Sequence, residues 1–167
     1  PLDRAISSPL QRSFKTCQFC AERHDLSVAA DARLSEINHG SWEGRLASEI
    51  AEAYPDDFAR WHSQPHLVQM PDGGENLEDV RRRVRAAFDE YVEKYPDETI
   101  LVAAHDAVNK AIICDLMGIG MDHFWQIKQD NTCINVLEYN EGTWRIVLLN
   151  STAHMGYLFS GIEQAGL

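Results

Sequence analysis

The chain has 167 residues, of which 44% are hydrophobic and 25% are charged, a mixture typical of one globular domain spanning residues 1–167. Its 26 acidic residues outnumber its 15 lysines and arginines, giving a net charge of −11. Such a surface repels the phosphates of nucleic acids. No stretch approaches the ~18 consecutive apolar residues that a membrane span needs. We therefore expect neither nucleic acid nor a membrane as partner, and we expect a cytoplasmic location.

The four cysteines do not form a recognisable metal site. Cys17 and Cys20 make a C-x-x-C pair, but no second pair follows at zinc spacing. We interpret the cysteines as small buried apolar residues of a reducing compartment, with a redox or metal role as the alternative. No metal or cofactor is expected.

The first half of the chain predicts a strand, a long helix and a structured loop. Residues 5–8 are expected to end a strand, and Ser8 then caps a helix with Pro9 in its first position. Apolar residues at helical spacing extend that helix to about residue 24. Residues 32–44 predict a loop, followed by short helices at 47–53 and 56–62.

The second half predicts two further helices and two kinds of strand. The Pro- and Gly-rich stretch 63–74 has the length of a functional loop. Asn76 and Asp79 resemble a capping box that opens a helix ending near Tyr95. The apolar run 99–104 predicts a central parallel strand buried on both faces.

The last predicted elements are a helix and a hairpin. Asp106 is expected to cap a helix that Gly118 closes. Residues 132–139 and 143–150 flank a three-residue hairpin turn. Helices alternating with apolar strands predict an α/β fold with three layers, α/β/α, around a mostly parallel central sheet.

Two junctions between a strand and a helix place polar side chains where α/β sheets bind ligands, outside the carboxyl ends of the strands. Ser8 and Arg12 belong to the first junction, and His105 to the second. A histidine before a helix N-terminus can donate to a phosphate oxygen. A histidine that only hydrogen-bonds within its loop is the alternative. Glu36 and Glu75 lie in loops that could reach this edge, and either could be a general acid or a solvated surface residue.

Four segments in the right order resemble the histidine phosphatase superfamily, also called phosphoglycerate-mutase-like. Residues 8–16 are similar to its S-x-L-x-R-x-x-x-T helix start, and residues 34–44 to its L-x-E-x-x-x-G-x-W-E-G loop. Residues 74–84 are similar to its G-E-S/N…R-V helix start, and residues 101–105 to its second-histidine strand. The resemblance covers about residues 5 to 154.

The resemblance implies a metal-independent, two-step phosphoryl transfer from a small phosphorylated metabolite. One histidine takes the phosphoryl group, a glutamate protonates the leaving oxygen, and water or a second hydroxyl then accepts the group. By position, the resemblance assigns catalysis to Glu36 and His105, and substrate binding to Arg12, Ser8, Asp106 and His39.

The chain departs from the family in lacking the Arg-His-Gly sequence that carries the nucleophile on the first strand. We expect this domain to be truncated, with the first strand upstream of Pro1; the alternative is a natural non-catalytic relative. A sheet without that strand would have an unpaired neighbour, so we expect either instability or self-association, for example as a homodimer.

A second departure is Asp106, which stands where the family usually has glycine after the second histidine. A carboxylate beside a phosphate is repulsive, so we predict that Asp106 faces the helix backbone as a cap. We interpret the chain as belonging to the phosphatase branch, hydrolysing phosphomonoesters. Mutase-type transfer and non-catalytic phosphate binding are the alternatives.

Overall fold

The fold was obtained as a computed structural model that describes residues 1–159, so residues 160–167 of the predicted domain lie outside the described residues. The described chain alternates strands and helices before it closes with a hairpin. In chain order the elements are β1 (Arg4–Ser7), α1 (Gln11–Ala21), β2 (Val28–Ala30), α2 (Ala47–Ala53), α3 (Pro55–Ser63), α4 (Leu77–Lys94), β3 (Ile100–Ala103), α5 (Asp106–Met117), β4 (Ile134–Asn140) and β5 (Thr143–Ser151).

The first three strands form a parallel sheet in the order β2-β1-β3. Ser7 at the end of β1 pairs with Ala30 of β2 and Ala103 of β3. All three strands therefore end at one edge, and the loops that follow β1, β2 and β3 gather there. This confirms the predicted α/β fold with a parallel central sheet.

Alternating side chains of the sheet separate two layers of helices. Ala5 faces a cluster that includes Cys17 and Ala21 of α1. Its neighbour Ile6 faces the larger core, which contains the buried sides of α4 and α5. Because successive residues of a strand point to opposite faces, the sheet lies between the two layers.

Several predicted boundaries are confirmed. The two short helices occur as α2 and α3. Asn76 caps α4, accepting from the Asp79 N–H at 2.9 Å, while Asp79 accepts from the Asn76 N–H at 3.3 Å. Gly118 ends α5 in the left-handed conformation, with φ of 68°.

Three local predictions are wrong. Helix α1 begins at Gln11 after an uncapped Leu10 instead of at Pro9, and the Ser8 hydroxyl oxygen binds the Leu10 N–H and His105 ahead of the helix. Strand β3 is only partly buried, because among the described strands it pairs with β1 alone. The hairpin turn has two residues, Glu141 and Gly142, both with positive φ, rather than three.

The antiparallel β4–β5 hairpin is separate from the parallel sheet. Its Trp144 ring lies 5.8 Å from the ring of Phe88 on α4, which ties the hairpin to the core. The hairpin nevertheless leaves many apolar side chains more than a third exposed: Ile134, Val136, Tyr139, Val147, Leu148 and Leu149. Among the described residues, none of the helices is both long and apolar enough to cross a membrane.

Candidate active site

The two predicted junctions meet at the carboxyl edge of the sheet. The Ser8 N–H continues the pairing of β1 with β3 by donating to the Ala103 carbonyl at 2.9 Å. Two residues later, the His105 Nε2 lies 2.8 Å from the Ser8 hydroxyl oxygen. That oxygen also accepts from the Leu10 N–H at 3.2 Å. Ser8 is fully buried, so its hydroxyl contacts the histidine and not solvent.

His105 is the residue before the first turn of α5 and is only 7% exposed. Burial, with the positive charges of Arg12 and Arg83, lowers the pKa of His105 to about 4. The imidazole is therefore neutral at neutral pH. A phosphate at this point would offset both effects, since a negative charge favours the imidazolium.

Arg12 lies in the first turn of α1, at the same edge. Its positive charge acts to lower the pKa of both His105 and Glu36. Within residues 1–159 that guanidinium has no hydrogen-bond or ion-pair partner, and the residue is exposed. An unpaired arginine beside a helix N-terminus is a ready partner for an anion.

Glu36 reaches the N-terminus of α5 from the loop after β2. Its Oε1 accepts from its neighbour Ile37 N–H at 3.0 Å and from the Ala107 N–H at 3.2 Å. Burial is the largest influence and raises the pKa of Glu36; the Asp106 charge acts in the same direction, and Arg12 opposes it. A carboxyl group that keeps its proton longer than usual suits a general acid.

Glu75, the other candidate acid, is fully engaged. Its two oxygens accept from Arg83 Nε at 2.7 Å and Nη2 at 3.0 Å, and Oε2 also accepts from the Asn38 N–H at 3.0 Å. The structure thus distinguishes two glutamates that residue type and loop position left equivalent, and that only the family resemblance had told apart.

Asp106 does not cap α5, contrary to our prediction. It is the first residue of the helix, and its Oδ2 accepts from Lys110 Nζ at 2.8 Å. Lys110 is buried, with Nζ 5.0 Å and 4.5 Å from the ring centres of Phe124 and Trp125. The pairing occurs because residues four apart share one face of a helix. Lys110 thereby offsets the repulsion that Asp106 would exert on a phosphate.

His39 lies apart from the junctions. Its ring stands edge-on to Trp61 at 6.1 Å, and its Nε2 is buried without a hydrogen-bond partner among the described residues. Burial lowers the pKa of His39, whereas the charges of Glu43 and Glu75 act in the opposite direction. The structure therefore brings Arg12, Ser8, Glu36, His105 and Asp106 together, and it places His39 against the aromatic residues beside them.

Two residues of the site had no role in the sequence interpretation. Arg83 lies in the segment that resembles the family, but the two carbonyl groups that it binds, those of Arg33 and Glu36, are far away in the sequence. Lys110 could have been paired with Asp106 from the four-residue spacing alone.

Within residues 1–159, no group of three His, Cys, Asp or Glu side chains could hold a metal ion.

Comparison with known proteins finds relatives among the phosphatases. Phosphoserine phosphatase 1 of Hydrogenobacter thermophilus is 37% identical over 98% of this chain and 77% of that protein. The 2-carboxy-D-arabinitol-1-phosphatase of Triticum aestivum is 29% identical over 82% of this chain and 27% of that protein.

Solved structures show the same fold. Bacillus stearothermophilus YhfR superposes with a TM-score of 0.88 at 27% identity, covering 92% of this chain and 76% of that one. The mycobacterial glucosyl-3-phosphoglycerate phosphatase Rv2419c gives 0.80 at 25% identity, covering 91% and 79%. The family model of the histidine phosphatase superfamily (branch 1) matches residues 1–152. The chain belongs to the histidine phosphatase superfamily.

Proposed function

We propose that the complete protein hydrolyses small phosphate monoesters through a phosphohistidine intermediate, without a metal. The observation that carries this proposal is the convergence of His105, Arg12 and Glu36 at the start of α5. Cationic groups and helix N–H groups are what a phosphoryl group needs as its charge redistributes. A carboxyl with a raised pKa beside them can protonate the leaving group.

The first step transfers the phosphoryl group from the substrate oxygen to a nucleophilic histidine nitrogen. The phosphorus–oxygen bond breaks as the phosphorus–nitrogen bond forms, and the Glu36 proton passes to the leaving oxygen, releasing an alcohol. His105 and Arg12 stabilise the transferring oxygens. The 167 residues contain no Arg-His-Gly sequence, so this step requires the nucleophile to come from a segment outside them.

The second step returns the site to its starting state. Water attacks the phosphohistidine, and the Glu36 carboxylate accepts its proton. The phosphorus–nitrogen bond breaks, leaving inorganic phosphate, a free histidine and a protonated Glu36. One carboxyl group therefore acts as acid and then as base, and no redox or metal chemistry is needed.

The leaving-group side of the pocket includes Asp106, whose carboxylate is balanced by Lys110. We propose O-phosphoserine as the first substrate to test, because a relative with 37% identity carries the name phosphoserine phosphatase. We also propose His39 as a substrate contact. A leaving group that extends past Glu36 towards Trp61 would reach this histidine.

The test is phosphate release from a panel of phosphorylated amino acids, sugars and hydroxy acids by the complete protein, with a chelator present. We expect turnover of at least one member, and a loss of at least about 100-fold for His105→Ala. Phosphate binding without any turnover would instead support a non-catalytic relative. Transfer to a second hydroxyl, without phosphate release, would support a mutase.

We further propose a cytoplasmic location and a homodimer. All four cysteines are free, as expected in a reducing compartment. The exposed apolar residues of β4–β5 and the single strand partner of β3 favour self-association. Light scattering of the 167-residue chain tests the homodimer, and a monomer at micromolar concentration would contradict it.

A further inference from the structure

The guanidinium of Arg83 holds the main chain on which Glu36 is carried. Its Nη1 donates to the Arg33 carbonyl at 2.6 Å, and its Nη2 donates to the carbonyl of Glu36 itself at 3.3 Å. The same group makes a two-pronged ion pair with Glu75. Four hydrogen bonds thus use the planar geometry of one arginine side chain, which a lysine could not reproduce.

Glu75 extends this hold to the other side of Glu36. Its Oε2 accepts from the Asn38 N–H at 3.0 Å, and its own N–H donates to the Asn38 carbonyl at 2.8 Å. Arg83 and Glu75 together therefore bind the segment 33–38 at Arg33, Glu36 and Asn38. We call this pair of residues the Arg83–Glu75 clamp.

The loop that carries Glu75 is pressed closely against segment 33–38. A Cβ atom at Gly74 would lie 2.7 Å from the Asn38 carbonyl oxygen, so a side chain there would not fit. The Arg83 and Glu75 side chains are 19% and 23% exposed, which limits competition from water. The Arg83–Glu75 clamp is a well-shielded contact rather than a loose surface ion pair.

The Arg83–Glu75 clamp and helix α5 together fix the orientation of the Glu36 side chain. Arg83 belongs to α4, which packs against α5, the helix whose Ala107 N–H holds Glu36 Oε1. The acid is thus fixed from both sides: its main chain by α4 and its carboxyl by α5. Small displacements of a catalytic group lower a rate steeply, because proton transfer needs close and directed contact.

We propose that the Arg83–Glu75 clamp is a positioning unit for Glu36, setting the place from which this acid protonates the leaving group. The inference rests on the proposed function and adds to it two residues that do not touch substrate. It predicts that variants of the clamp lower kcat/KM only for substrates whose leaving group must be protonated by Glu36.

The experiment compares kcat/KM of the complete protein and Arg83→Lys for two monoesters. O-phosphoserine has a poor leaving group that must be protonated, whereas dinitrophenyl phosphate has one that departs without a proton. We expect Arg83→Lys to lose about 30-fold on the first and less than about 3-fold on the second. Glu36→Gln should show the same selectivity with a larger loss, which identifies the pattern of a missing acid.

Arg85→Lys on the same helix is the matched control. Arg85 pairs with Asp89 at 2.8 Å and with Asp115 at 2.9 Å, contacts comparable in length to those of Arg83 but without a bond to segment 33–38. We expect Arg85→Lys to leave both rates within about 2-fold of the wild type. Glu75→Gln, which removes the charge but keeps one acceptor oxygen, should repeat the selective loss of Arg83→Lys even if the lysine variant folds poorly.

Equal losses on both substrates in Arg83→Lys and Glu75→Gln would overturn the inference and leave these residues a structural role only. Unchanged rates on both substrates would overturn it as well. A wild-type protein without activity on either substrate would instead contradict the proposed function, so the two failures are distinguishable.

Discussion

Two loops of this molecule each carry a glutamate to the same edge of the sheet, and their surroundings differ. Glu36 receives two backbone N–H bonds on one oxygen and has no cation bonded to it, and its pKa is raised by burial. Glu75 receives a bidentate arginine and a backbone N–H. One carboxyl is placed where it can exchange a proton at the site, and the other is bound to an arginine and to the main chain.

In this molecule the proposed general acid and the carboxylate that pairs with an arginine are therefore different residues. Residue type alone does not distinguish the two roles, because both glutamates follow a loop and both precede a turn or helix. The surroundings of each carboxyl distinguish the two roles. Glu36 lies over the N-terminus of α5 without an ion-pair partner among the described residues, whereas Glu75 forms an ion pair with Arg83 of α4. The predictions below test this contrast.

The largest effect is expected from Glu36→Gln. The acid must be protonated, so kcat/KM for an alkyl phosphate should fall as pH rises above the raised pKa of Glu36. Glu36→Gln should lower kcat/KM about 100- to 1,000-fold and remove this decline with pH. Glu52→Gln, a change at an exposed residue of α2, is the control and should behave as wild type. A variant that retains the decline would show that another group supplies the proton.

The contact between the two loops can be broken at Gly40. A Cβ there would lie 1.7 Å from the Pro71 carbonyl oxygen, at a φ of +60°. Gly40→Ala should lower the free energy of unfolding by about 3 kcal/mol. Gly73→Ala is the matched control, since its φ is +82° but no atom lies within 4 Å of the new Cβ; it should cost only about 1 kcal/mol. Urea denaturation measures both, and equal losses would contradict the close approach of the loops.

Burial of neutral His105 predicts a pH-dependent stability. Its pKa is about 4 in the folded chain and about 6.5 when exposed, so between these values only the unfolded state gains the proton. Stability should therefore fall as pH is lowered from 6.5 towards 4, by up to about 3 kcal/mol from this residue. His39 acts in the same direction, so the difference between wild type and His105→Asn isolates His105. Parallel pH curves for the two proteins would show that His105 is not buried as a neutral ring.

The smallest effect is expected at Ser8, which touches His105 and not solvent. Ser8→Ala removes the 2.8 Å hydrogen bond to Nε2 and should lower kcat/KM about 5-fold, the equivalent of about 1 kcal/mol. Ser7→Ala is the control, because the Ser7 hydroxyl bonds to Ser13 and to the Ser8 carbonyl instead. A larger effect of Ser7→Ala than of Ser8→Ala on the rate would contradict the proposed role.

Most of the fold followed from local sequence signals. The Asn76 capping box and the Gly118 stop each depend on residues a few positions apart, and both are found in the structure. The hairpin position was also predicted, although its turn is one residue shorter. The prediction that β3 is buried on both faces was wrong. The burial of a strand depends on which strands become its neighbours, and an apolar run does not determine that.

The site was predictable only in part, for the same reason. The strand ends placed Ser8 and His105 at one edge, since parallel strands end together. The family resemblance selected Glu36 over Glu75, but the physical difference between them depends on Arg83, whose bonds to Arg33 and Glu36 span 50 and 47 positions of sequence. Asp106 was misjudged because capping and pairing with Lys110 compete for one carboxylate, and the buried lysine has no other charged partner within the described chain.

The measurement that tests the central claim most directly is trapping of the covalent intermediate on the complete protein. Labelled O-phosphoserine is mixed with wild type and Glu36→Gln and quenched in alkali within the first turnover. We predict an acid-labile, base-stable label on a histidine in wild type, formed at a rate consistent with kcat, and much more slowly in Glu36→Gln. Continued hydrolysis without any such label, or a label that survives acid, would contradict a phosphohistidine mechanism for this chain.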